Sequence, residues 1–235
     1  MTRDPRASDP RLADPLVAAR HALGGVLSTW RDGALVAIRV TEVEAYRGAD
    51  DPAAHTFRGR TPRNQTMFGP SGHLYVYRHM GLHHCVNLVC SDEGLGHGLL
   101  IRAGEVIAGQ QVALARRTRT GVCHAPRDLA RGPARLTVAL GIVHADDAVA
   151  WRPGLADADH EFGWQWPQPP LDPACIRSGP RIGVPAAGAD PDLFGWRFWI
   201  ADDPTVSGSP ALNRTGRRLD EGNSHPEPWM GTGAG

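Results

Sequence analysis

The sequence predicts a single domain of mixed α+β class, on three observations. Residues 34–46 alternate in polarity with a period of two, as a strand does. Residues 73–80 and 82–90 read as two strands around Gly81, a hairpin. Helical stretches flank these strands on both sides. A length of 235 residues suits one large domain, and 41% hydrophobic residues suffice for a core.

Taken in order, residues 1–9 are a polar lead expected to be flexible, and the domain is expected over residues 10–202. Asp9-Pro10 can cap a helix running to about His21, with Leu12 and Leu16 on one face and Gly24-Gly25 ending it. In the next strand the even positions are Ala34, Val36, Ile38, Val40, Glu42, Glu44 and Tyr46, and an unbroken strand puts them all on one side. Gly48, Pro52, Gly59, Pro62, Gly69 and Gly72 punctuate residues 47–72 as a long loop. Loops of that length in a compact domain are usually functional. After the hairpin come a short strand at 98–103 and a helix at 105–117. Residues 126–142 read as a helix or two turns broken at Gly132-Pro133. Residues 150–175 read as irregular and 180–202 as strands. From Asp203 the composition shifts to Gly, Ser, Pro and charge, so a disordered tail over 203–235 is expected.

The start of the chain has no apolar h-region, and no apolar run approaches a bilayer-spanning length. The expectation is a soluble cytoplasmic protein, nucleoid-associated in a bacterium, with no membrane partner. The formal net charge of zero argues against a nonspecific nucleic-acid coat, but not against a locally basic face. All 25 basic residues are arginine. GC-rich codon usage accounts for this, but the consequence is chemical: no lysine is present to form a Schiff base. Cys85, Cys90, Cys123 and Cys175 form no C-x-x-C pair and read as buried hydrophobes. His79, His83, His84, Cys85 and Cys90 cluster without any zinc spacing, so no metal is expected.

The strand 34–46 ends in two carboxylates and a tyrosine. An exposed strand end would leave both carboxylates solvated. The functional reading is a carboxylate held ionised to orient a water. Tyr46 shares that face and can stack on a ligand. His55 follows the small residues Ala53-Ala54, which allow a ligand close to the backbone. Arg58, Arg60 and Arg63 lie in the Gly/Pro loop, where arginines suit phosphate. Met80 beside the turn glycine is either a packed residue or an apolar wedge.

Several motifs in one order resemble a known family: Glu42-Val43-Glu44-Ala45-Tyr46, Ala53-Ala54-His55, Thr61-Pro62-Arg63-Asn64, Met67-Phe68, Gly72 to Tyr77, Cys85-Val86-Asn87 and Leu99 to Ala103. They resemble the mammalian-type alkyladenine (3-methyladenine) DNA glycosylases, over about residues 10–202. The resemblance implies a curved antiparallel sheet with surrounding helices and a protruding β-hairpin, similar to the C-terminal domain of methionyl-tRNA formyltransferase. It implies a monomer that needs no cofactor and acts on double-stranded DNA carrying a damaged purine. Glu44 matches the residue that positions and deprotonates water, with Arg102 helping to hold it. Tyr46, His55 and Tyr77 match rings that sandwich a flipped base. Backbone groups of Ala54 and His55 match contacts to the purine edge. Asn87 matches the side chain that crowds out the amino group of guanine. Thr61, Arg58, Arg60 and Arg63 fall where DNA contacts are expected. The hairpin tip matches an intercalating wedge, with Met80 where a tyrosine is more familiar.

The implied activity is hydrolytic excision of alkylated or deaminated purines without strand cleavage. The alternatives are a non-catalytic nucleic-acid-binding module of the same fold and a damage sensor that flips bases without excising them. Glu44 weighs against a binder, because a carboxylate repels the phosphodiester.

Overall fold

A computed structural model describes residues 9–79 and 81–219. Met80 and the expected lead at 1–8 lie outside the described residues. The first helical stretch divides at two prolines. Asp9 caps a short turn at Pro10–Leu12, and Asp14 then caps helix α1, Pro15–Ala22, by accepting from Leu16 N at 2.7 Å. Strand β1, Val26–Arg31, precedes the long strand β2, Ala34–Arg47. The hairpin is β3, Leu74–His79, with β4, His83–Cys90. Strand β5, His97–Ala108, leads into helix α2, Gln110–Thr118.

The expected helix at 105–117 therefore starts later than its composition suggests. β2 needs a partner along its length, and β5 supplies it as far as Ala108. Gly109 makes the break: its φ is 71°, and a Cβ there would collide with the Leu35 carbonyl. Next come β6, Ala130–Arg131, and α3, Pro133–Leu140, divided at Gly132 as the sequence suggests. β7, Arg152–Pro153, and β8, Phe162–Gln165, lie in the stretch expected to be irregular. β9, Ile176–Gly179, and β10, Arg197–Ile200, follow. The last elements are α4, Pro210–Arg214, and β11, Arg217–Arg218.

The strands join in one curled, mostly antiparallel sheet. β2 is its spine. β1 and β10 pair in turn along one edge, β5 runs along the other, and β4 then β3 continue outward from β5. Helices α1 and α3 cover one face, packing on β2, β4 and β5 around a core that includes Leu27, Ile38, Leu88 and Ile101.

Contrary to the expectation of seven even positions on one side, β2 changes face midway. Val36, Ile38 and Val40 lie in the core, but so do Val43 and Ala45. The register explains the switch: Val40 pairs with Gly104, Glu42 with Ala103, and Val43 with Ile101. Thr41 is thus one extra residue on β2 and Arg102 one extra on β5, a double bulge. Glu42, Glu44 and Tyr46 consequently leave the helix-covered face, and Arg102 is set directly beside them.

The tail expected from Asp203 is a second difference. Residues 203–219 are described, and Thr205, Val206 and Ser207 are buried. Their Gly/Ser/Pro composition reads as disorder, but their partners include Thr41, Glu42 and Arg131, far away in the sequence. The remaining tail, 220–235, lies outside the described residues.

Candidate active site

The double bulge collects four charged side chains inside the protein. Arg102 is only 6% exposed and serves both glutamates: Nε donates to Glu42 Oε1 and Nη1 to Glu44 Oε2, each at 3.0 Å. Arg197 donates to Glu42 Oε1 at 2.6 Å, and the Ser207 amide donates to Glu42 Oε2 at 2.7 Å. Burial raises the Glu42 carboxyl, but the charges of Arg102 and Arg197 and the Ser207 and Arg197 hydrogen bonds outweigh it and hold it below its usual value. Burial lowers the Arg102 guanidinium, but the charges of Glu44 and Glu42 prevail and raise it.

Glu44 is fully buried and differently partnered. Its Oε1 accepts from the Ile182 amide at 2.7 Å, and its Oε2 accepts from the Tyr46 hydroxyl at 2.8 Å as well as from Arg102. Burial and the Glu44 charge push the Tyr46 phenol well above its ordinary value, so it stays a donor. A carboxylate has about four lone-pair sites. Three of those on Glu44 are taken by the described residues, leaving one acceptor site for a further donor.

In front of Glu44 opens a cavity of about 480 Å³, lined by Tyr46, Ala54, His55, Tyr77, Asn87 and Arg102 among others. All seven residues expected at the catalytic and base-binding positions thus come together, six as lining and Glu44 immediately behind Tyr46. Their mutual geometry differs from a simple sandwich. His55 and Tyr77 meet edge to face, 4.5 Å apart at 80°, and Tyr77 stacks on Tyr75 at 5.5 Å. His55 Nδ1 lies 3.2 Å from the Tyr75 hydroxyl, a bond whose direction depends on the tautomer. Burial, with Arg63 and His79 nearby, lowers the His55 pKa, and burial pushes Tyr75 up to about 12. The Asn87 amide donates to the Tyr75 carbonyl at 3.2 Å, which fixes its side chain at the cavity wall.

Residues that sequence reasoning left without a role hold this pocket in shape. Asn64 ties the long loop together, donating to the carbonyls of His55 and Gly59 and accepting from the Thr61 amide. Asp51 and Arg181 form a fully buried ion pair with contacts of 2.6 and 2.7 Å. Asp51 also accepts from the Ala53 amide, and Arg181 donates to Ala45 O and Gly188 O. The Arg181 guanidinium lies 4.7 Å from the centre of the Tyr46 ring, a cation–π contact with one of the cavity walls. Arg181 opens the stretch Arg181-Ile182-Gly183-Val184, whose Ile182 amide also holds Glu44.

In the long loop, Arg58, Arg60, Thr61 and Arg63 are exposed, and Arg63 reaches the Arg78 carbonyl of the hairpin. At the hairpin tip Leu82 is 79% exposed, an apolar residue the sequence reading passed over. Cys85 lines the cavity whereas Cys90 lies in the core, so the His/Cys run does not converge. Among the described residues no three His, Cys, Asp or Glu side chains are placed to hold a metal ion. No helix among them is long and apolar enough to cross a membrane.

A buried, cation-braced carboxylate thus lies behind an aromatic cavity on the curled sheet. The chain belongs to the methylpurine-DNA glycosylase family, whose model matches residues 11–204. It is 45% identical over 193 residues to a Streptomyces avermitilis protein named "Putative 3-methyladenine DNA glycosylase", covering 82% of this chain and 85% of that one. Proteins of the same name from Burkholderia cenocepacia and Cutibacterium acnes are 46% and 44% identical, covering 85% and 84% of this chain and 84% and 97% of theirs.

Proposed function

We propose that the protein flips damaged purines out of duplex DNA and hydrolyses their glycosidic bond, acting as a monomer and leaving an intact abasic site. Its substrates are purines alkylated at N3 or N7, such as 3-methyladenine and 7-methylguanine, together with hypoxanthine and ethenoadenine. The observation that carries this reading is Glu44: fully buried, ionically braced by Arg102, and one side chain behind an aromatic pocket.

A base inside the stack cannot be reached, and extruding it costs a few kcal/mol, less when it is damaged. Leu82 at the exposed hairpin tip suits the task of filling the gap left behind, the part that the resemblance gives to Met80. Arg58, Arg60, Arg63 and Thr61 then hold the backbone of the bent strand. Alkylation makes the purine cationic, and a cation is attracted to the faces of Tyr46 and Tyr77. Such a base is already a good leaving group. As its bond breaks the sugar gains oxocarbenium character, by analogy with glycoside hydrolysis. Glu44 stabilises that charge and takes the proton of the attacking water, which Arg102 helps to hold. Asn87 narrows the cavity against the exocyclic amino group of guanine. The fold resemblance to the formyltransferase C-terminal domain belongs to this same reading.

The test is release of free base from duplexes carrying hypoxanthine, ethenoadenine or 3-methyladenine. Wild-type protein releases base. Glu44→Gln binds the same duplexes but is slower by about 10²–10⁴, the range for loss of a general base. Full activity in that variant removes Glu44 from its role. Binding by the wild type without release favours the damage sensor.

A further inference from the structure

The segment from Asp203 to Asn213, expected to be disordered, closes over the rear of the charged cluster. Arg39 holds Asp203 at 2.8 Å, and Thr205 Oγ1 lies 2.9 Å from Thr41 Oγ1 at the bulge itself. Beyond its amide bond to Glu42, Ser207 places its hydroxyl 3.5 Å from Arg102 Nη2. Arg197 completes a closed ring. Its Nε donates to Glu42, while its Nη2 donates to the Ser207 carbonyl at 3.1 Å and to Asn213 Oδ1 at 2.8 Å. The Asn213 amide returns a bond to the same Ser207 carbonyl at 3.1 Å. Neither Ser207, Asn213 nor Arg197 lines the cavity.

We infer that residues 203–213 form a clasp that positions Arg102 through Glu42. The inference rests on the reading of Arg102 as the group that holds the attacking water. A guanidinium is planar and rigid, so pinning one nitrogen aims the others. Glu42 pins Nε, which directs Nη1 at Glu44. Glu42 in turn is fixed from behind by Arg197 and by the Ser207 amide, both organised by the clasp. Misplacing a catalytic group by about 1 Å can cost 10²-fold in rate. Ser207, Asn213, Arg197 and Glu42 are therefore positioning residues. They act on the chemical step and leave DNA affinity unchanged, because none faces the cavity.

The experiment uses the full chain and single-turnover release of hypoxanthine from a duplex with one such base. Affinity is read separately on a duplex carrying a tetrahydrofuran abasic-site analogue. Asn213→Ala removes an acceptor for Arg197 and slows release about tenfold, with the dissociation constant of the analogue duplex changed by less than about twofold. Asn213→Asp keeps the acceptor for Arg197 but loses the donor to the Ser207 carbonyl, so it slows release less than Asn213→Ala does. In an Arg102→Lys background, Asn213→Ala causes no further loss, because the clasp acts through Arg102. An unchanged rate in Asn213→Ala, an equal loss in both backgrounds, or a loss seen only as weaker binding of the analogue duplex overturns the clasp while leaving the glycosylase intact. A wild-type protein that releases no base overturns both.

Discussion

The Tyr46 hydroxyl donates to Glu44 Oε2 at 2.8 Å, so a wall of the cavity is also a hydrogen-bond partner of the buried carboxylate. The two duties separate by mutation. Tyr46→Phe keeps the ring and loses the donor. A hydrogen bond to a charged group is worth about 1.5–3 kcal/mol. Tyr46→Phe should therefore slow base release by about tenfold or more with little change in duplex binding. Tyr46→Ala should weaken both. Single-turnover kinetics beside binding isotherms check this, and a Phe variant with the wild-type rate leaves the hydroxyl without a catalytic part.

The Asp51–Arg181 pair carries a stability prediction. Both side chains are fully buried, and each also bonds backbone that shapes the pocket. Removing one partner strands the other charge, which typically costs about 3–5 kcal/mol. Asp51→Ala should lower the urea midpoint accordingly. It should also free the Ala53 amide, next to Ala54 and His55 of the cavity lining. Asp51→Asn, which keeps an acceptor, should lose less. A midpoint for Asp51→Ala within experimental scatter of wild type would show the pair to be dispensable.

How much of this was legible in the sequence depends on distance along the chain. Glu44, Tyr46, His55 and Tyr77 were readable because strand alternation and loop punctuation are local, and because their motifs follow one another in a recognisable order. The face switch at Thr41 was not, since a bulge is set by the partner strand's register, here Gly104, Ala103 and Ile101. Asp51 and Arg181 are 130 positions apart, and neither flanking sequence announces the other. The clasp was misread for a related reason. Ser207 and Asn213 are ordered by Glu42 and Arg197, and their own Gly/Ser/Pro surroundings argue for disorder.

The absence of lysine from the sequence yields a prediction about chemistry. Glycosylases that also cut the strand through a Schiff base need an amine at the sugar C1′. The cavity lining offers guanidinium, imidazole, phenol, amide and the Cys85 thiol, none of which forms a stable imine. Incubation with a hypoxanthine duplex should give heat- or alkali-labile sites without direct nicking. Borohydride should trap no covalent protein–DNA adduct, and a trapped adduct would overturn the hydrolytic reading.

His55 supplies the pH dependence. His55 keeps an open edge to solvent, but desolvation of its ring against Tyr75 and Tyr77 lowers its pKa below 6.5, and Arg63 and His79 add to the shift. The imidazole is therefore neutral at pH 7. Because its folded pKa is the depressed one, its contribution to stability is fully present above the unfolded value near 6.5 and is lost as pH falls through the folded value. The same titration acts on substrate. A neutral ring tolerates a cationic purine beside it, whereas an imidazolium repels one, with Arg63 already close. Release of 7-methylguanine should thus fall on the acid side more steeply than release of hypoxanthine, which carries no charge. His55→Gln cannot titrate, so it should bring the acid limbs of the two substrates together even if its overall rate is lower. Parallel pH–rate profiles for both substrates across pH 5–8 decide the matter. A difference in acid limb that survives in His55→Gln would assign that limb to another group.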